Sequence, residues 1–137
     1  MRRELLVSLD ILSASMSLAE LSAALRYEPS AASSHDKGSP RKTPRGDEKW
    51  QETTWRLDSD EPKNNPVEVH IARLAKLLPP EDLVAVLPSE CKVVITAGVM
   101  HDAYAPTLDV PSASIEIINA YRAELELSFY PTDFGKE

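Results

Sequence analysis

The sequence predicts an α+β domain: a two-layer sandwich with a four-stranded sheet and helices mainly on one of its faces. Three observations carry that expectation. Four short stretches alternate apolar and polar residues with the two-residue period of a strand. Amphipathic stretches opened by serine or proline separate them. The 137 residues suit a single domain, 1–137, large enough to bury its own core.

The first strand is marked by Leu5, Val7, Leu9 and Ile11 alternating with Glu4, Ser8 and Asp10. Ser17-Leu18-Ala19-Glu20 has the spacing of a capping box, with Met16 and Leu21 placed as a hydrophobic staple. Leu18, Leu21 and Leu25 share one face of the helix that follows, and Glu28-Pro29 is expected to end it. Residues 30–48 are polar and rich in Ser, Pro, Lys and Arg, which reads as a long loop.

Trp50 to Leu57 reads as the second strand, with Thr53, Trp55 and Leu57 on one face and Glu52, Thr54 and Arg56 on the other. Asn65-Pro66-Val67-Glu68 predicts a helix start capped by Asn65, and Val67, Ile71, Leu74 and Leu78 form its apolar stripe. Pro79-Pro80 breaks that helix, and a short one follows from Glu81 to Leu87. Cys91 to Val99 is the most apolar strand. Pro111 opens a further helix that aligns Ile115, Ile118 and Tyr121. Leu125, Leu127 and Phe129 then alternate with Glu124, Glu126 and Ser128 in a last strand, and the tail from Pro131 is expected to fray. The order is β-α-β-α-α-β-α-β. Eleven prolines against four glycines point to stiff loops and sharp helix starts rather than flexible linkers.

Formal net charge is −7, and it is unevenly spread: residues 67–137 carry five basic and eleven acidic groups, while 1–66 are nearly balanced. An acidic half argues against nucleic acid as a partner, since phosphate contacts need a positive surface, and suits a basic protein. One cysteine, Cys91, forbids an internal disulfide and fits a reducing compartment. No signal peptide or membrane span is readable, so the expected location is the cytoplasm and no membrane contact is expected.

Candidate chemistry is thin. Cys91 begins a strand and His101 lies past its far end, so the two cannot form a nucleophile pair within that element, and a buried structural cysteine is the plainer reading. His101-Asp102 with Asp109 is too sparse for a metal site, and no glycine-rich phosphate loop is present. No cofactor and no catalytic residue are therefore expected. Glu124 and Glu126 project from one strand face at a spacing of about 7 Å, which would suit acid/base work on a sugar, although a solvated face explains them as well. The basic residues Lys37, Arg41, Lys42 and Arg45 are neutralised by Asp36, Asp47 and Glu48. Trp55 reads as core. If the helices cover only its face, Trp50 is an exposed aromatic on the other. The candidate binding surface is that open face, with Trp50, Glu52, Arg56, Glu124, Glu126 and Tyr130.

Several segments taken in order carry a resemblance. They are the first strand and capped helix leading into Tyr27-Glu28-Pro29-Ser30, then Lys37-Gly38-Ser39 and Thr54-Trp55-Arg56-Leu57. The helix with His70 and Leu77-Leu78, the strand from Cys91 and the closing Phe129-Tyr130 complete the series. Over about residues 5–130 the chain resembles the bacterial domain-of-unknown-function family 4279. Where that family has a glycine or short polar turn before its last strand, this chain has Tyr121-Arg122-Ala123. The resemblance implies a bacterial α+β domain and brings no catalytic residues. By analogy of size and fold alone, such proteins look like immunity proteins of toxin systems. The leading expectation is thus a non-enzymatic protein-binding module, an immunity protein neutralising a basic toxin. The alternatives are a small enzyme or ligand-binding protein for a polar or sugar ligand, and a self-associating structural module.

Overall fold

A computed structural model of the chain describes residues 2–135. The eight expected elements run in the expected order, with a two-stranded hairpin added after the first helix. β1 (Arg3–Ser13) leads to α1 (Leu18–Leu25), and a 3-10 turn (Ala31–Ser33) precedes a hairpin of β2 (Pro40–Thr43) and β3 (Gly46–Lys49). β4 (Thr53–Asp58), α2 (Val67–Leu77), α3 (Pro80–Val86), β5 (Lys92–His101), α4 (Ser112–Ala120) and β6 (Glu124–Pro131) follow. The main sheet has the order β4-β1-β5-β6. β1 is antiparallel to both its neighbours, and β6 is parallel to β5. The fold is mixed α+β.

Strand alternation decides which residues enter the core. Leu5, Val7, Leu9 and Ile11 of β1, Trp55 and Leu57 of β4, and Val93, Ile95, Ala97 and Val99 of β5 all point to one face and are buried. Leu21, Leu25, Val67, Ile71, Leu74, Leu83 and Ile118 come down on them from the four helices. Two buried aromatic residues place their polar tips on partners. Trp55 Nε1 donates to Ser22 Oγ at 3.1 Å, and Tyr121 Oη donates to the Leu78 carbonyl at 2.5 Å. Burial pushes the Tyr121 phenol far above its ordinary pKa.

Both halves of the capping box on α1 form: Ser17 Oγ accepts from Glu20 N–H, and Glu20 Oε1 accepts from Ser17 N–H, each at 3.1 Å. The helix closes earlier than Glu28-Pro29, because Arg26 turns left-handed at φ 55°. α2 lacks its expected asparagine cap. Pro66 occupies the cap position, and the Asn65 side chain donates instead to Glu61 Oε2 at 3.2 Å. Before β6, Arg122 takes φ 55° and makes the turn for which a glycine is the usual residue.

The segment read as a loop at 30–48 is more ordered than its composition suggests, since it contains the 3-10 turn and most of the hairpin. Arg41 stands opposite Glu48 and Lys42 opposite Asp47 in the register of that hairpin, so opposite charges face one another across it. The tail from Pro131 is tied down as far as it is described. Thr132 N–H donates to the His101 carbonyl at 2.7 Å, and the Arg2 guanidinium lies 4.6 Å from the centre of the Phe134 ring. Lys136 and Glu137 lie outside the described residues. No helix among the described residues is long and apolar enough to cross a membrane.

Candidate binding face

The helices leave the opposite face of the sheet uncovered, and its residues are the even-numbered ones of each strand. At its centre lies Asp10 of β1, buried and chelated by Arg56 of β4: Nε and Nη2 each donate at 2.8 Å, to Oδ1 and Oδ2. Ser8 Oγ donates to Asp10 Oδ1 at 3.0 Å, and Thr96 Oγ1 donates to Oδ2 at 3.1 Å. The carboxylate therefore accepts four hydrogen bonds, which is how a buried charge is tolerated. The bonds to Asp10 raise the Arg56 pKa above its ordinary value, outweighing its partial burial, and Asp58 and Glu126 add to the effect.

Register places Thr96 beside Ser8 on one side and beside Glu126 on the other. Glu124 lies next to Val94 and is bridged by Lys92 Nζ at 3.1 Å, with both side chains exposed. Tyr130 ends this face. Its ring passes over Gly98, with Cε2 3.4 Å from where a Cβ would stand, so the missing side chain makes room for it. Leu6 and Tyr130 are 52% and 54% exposed. Between them a shallow concavity of about 480 Å³ is lined by Ser8, Arg56, Asp58, Thr96, Gly98 and Tyr130, among others.

Four of the six residues expected on this face, Arg56, Glu124, Glu126 and Tyr130, do lie on it. Trp50 and Glu52 do not belong to the strand, because β4 begins at Thr53. Trp50 nevertheless reaches the border of the face by another route. His35 and Thr54 exchange backbone hydrogen bonds of 3.0 and 2.9 Å, which puts the His35 side chain on the Thr54 side of the sheet. Trp50 stacks on that imidazole with ring centres 3.5 Å apart, and the Arg41 guanidinium lies 4.3 Å from the indole centre. Burial, with Arg56 and Arg41 nearby, lowers the His35 pKa. Trp50 is thus a half-buried brace for the hairpin rather than a free anchor. Glu52 is exposed in the turn before β4.

Sequence reasoning missed Asp10 as the hub, since its partners Arg56 and Thr96 are 46 and 86 residues away. It also missed Ser59 Oγ and His70 Nδ1, 2.6 Å apart. Both are buried, and desolvation lowers the His70 pKa against the opposing pull of Glu61 and the Asn65 and Pro62 backbone. The pair joins the chain after β4 to α2, and both residues line the concavity beside Tyr130.

The remaining candidates stay apart. Cys91 is half-buried just before β5, its Sγ 3.4 Å from Glu90 Oε1, and burial raises the pKa of its thiol. His101 is buried at the other end of that strand, with Nδ1 3.1 Å from the Ala103 carbonyl. Asp102 Oδ1 accepts from the Arg2 backbone N–H at 2.7 Å. Among the described residues no three His, Cys, Asp or Glu side chains gather to hold a metal ion.

The family model described as "Domain of unknown function (DUF4279)" matches residues 3–132, nearly the whole chain. The chain belongs to this family. The DUF4279 match therefore spans every strand of both sheets and all four helices, including the open face. No curated protein and no solved structure gives a significant match.

Proposed function

We propose that this DUF4279 protein is a non-enzymatic binding module whose open sheet face docks a cationic protein, in the manner of an immunity protein covering a bacterial toxin. One observation carries the reading: the uncovered face is both acidic and studded with exposed apolar groups. Glu4, Asp58, Glu124 and Glu126 lie on it with Leu6 and Tyr130, while the cations Arg2, Arg56 and Lys92 are engaged by Glu4, Asp10 and Glu124. Acidic charge steers a basic partner to the face, and exposed aromatic and aliphatic groups anchor it once there. The net charge of −7 acts in the same direction. The compartment consistent with such a role is the cytoplasm.

The test begins with affinity purification of the tagged protein from its host. The association kinetics of any stoichiometric partner are then measured. A 1:1 complex is expected whose on-rate falls with added salt. Glu124→Lys with Glu126→Lys should slow low-salt association about tenfold. An on-rate indifferent to salt and to both substitutions overturns the reading.

The concavity beside Tyr130 favours a second reading. Its size falls in the range of small-ligand sites, and its lining adds Lys63, Asp60, the His70 imidazole and the Tyr130 ring to the Asp10–Arg56 network, groups of the kind that hold a polar ligand or sugar. Its lining does not include Glu124 or Glu126, so it supports binding rather than acid/base chemistry by that pair. A saturable rise in melting temperature with a monosaccharide or small carboxylate, lost in Tyr130→Ala, is the expected sign. A flat response across such a panel removes this reading.

A further inference from the structure

We propose that β6 is a self-pairing edge, through which two copies of the chain join their sheets into one about a two-fold axis at Leu127. The inference is independent of what docks on the open face.

Among the described residues no strand pairs with the outer side of β6. Thr132 N–H points inward to the His101 carbonyl. Backbone direction alternates along a strand, so the amide groups of the even residues face β5 while those of Leu125, Leu127 and Phe129 face outward. Edge strands are ordinarily blunted by charged side chains, lysine above all, by proline or by a covering element. Glu124–Pro131 contains no lysine, its proline stands only at the last position, and its two charges, Glu124 and Glu126, both lie on the open face. The helices cover this edge thinly: Leu127 and Phe129 are each 38% exposed.

The pattern favours a second copy over an unrelated strand because it is self-complementary. With Leu127 opposite Leu127 in antiparallel pairing, Leu125 faces Phe129 at both ends. These three pairs use only outward amides and make about six hydrogen bonds. A shift by one pair toward the end of β6 would bring in Pro131, which has no N–H to give, and the opposite shift would bring in Ala123, next to the left-handed Arg122 that turns the chain away. On the open face Glu124 meets Tyr130 and Glu126 meets Ser128, so no acid faces an acid. Parallel pairing in the same register would stack each glutamate on its copy.

Sedimentation of the full chain should show a dimer. In a Cys91→Ser background, Leu127→Cys should cross-link to its copy on mild oxidation, since directly opposed residues lie within disulfide reach. Leu125→Cys, whose counterpart is Phe129, should not. Leu127→Pro should sediment as a monomer. Because that change also risks the fold, Phe129→Lys serves as the companion, with circular dichroism confirming that each variant is folded. A monomeric wild-type chain at high concentration overturns the proposal. So does a folded Phe129→Lys protein that remains dimeric.

Discussion

The residue that most shapes the open face is Asp10, a buried carboxylate that owes its tolerance to Arg56, Ser8 and Thr96. Removing the guanidinium strands the charge. Arg56→Met is therefore expected to cost about 2 kcal/mol in urea unfolding. That lies below the figure for a fully buried pair, because the Arg56 side chain is 34% exposed and solvent screens part of the interaction. Pairing it with Asp10→Leu should recover much of the loss, since no unpaired charge then remains. Strictly additive losses in that double-mutant cycle would show that the two residues do not act together. The sequence displayed Asp10 only as a polar position in an alternating strand, and a surface role was the natural reading. What changes its meaning is a register that no local pattern reveals.

At the scale of elements, legibility followed local physics. The capping box of α1 was readable because Ser17 and Glu20 are three residues apart and satisfy each other's backbone. β1, β4 and β5 were readable because one face of each is buried and the alternation records it, and β6 keeps the same alternation although its apolar side is only partly covered. The β2–β3 hairpin was not readable, for the opposite reason. All its residues but Thr43 are exposed, so its sequence carries no apolar alternation to betray a strand. Its order comes from the Thr43–Gly46 turn, where Gly46 adopts φ 117°, and from Trp50 braced between His35 and Arg41. Those contacts also moved the start of β4 to Thr53 and took Trp50 from the position its alternation implied. The self-pairing proposed for β6 belongs to this scale too, because it depends on a whole strand's backbone direction rather than on any one side chain.

For the whole molecule, the unreadable quantity was strand order. Nothing local says that the first strand lies at the middle of the sheet, yet β1 pairs with β4 along one side and with β5 along the other, Arg3 standing opposite His101. Such distant pairings must close long loops before they gain contacts. Folding is expected on the millisecond-to-second scale rather than in microseconds. Stopped-flow fluorescence of the buried Trp55 would check this. Microsecond refolding would mean that the helices, not β1, organise the rate-limiting step. The central place of β1 has another consequence. It brings residue 2 close to residue 134: Arg2 hydrogen-bonds Asp102 and covers Phe134, within reach of the place where β6 finishes. A body whose path enters and leaves at one point can be spliced into a surface loop of a host protein without prying that host apart. The same closeness would let a short linker join residue 134 to residue 2 and the ring be opened at the Thr43–Gly46 turn, keeping every pairing of the main sheet.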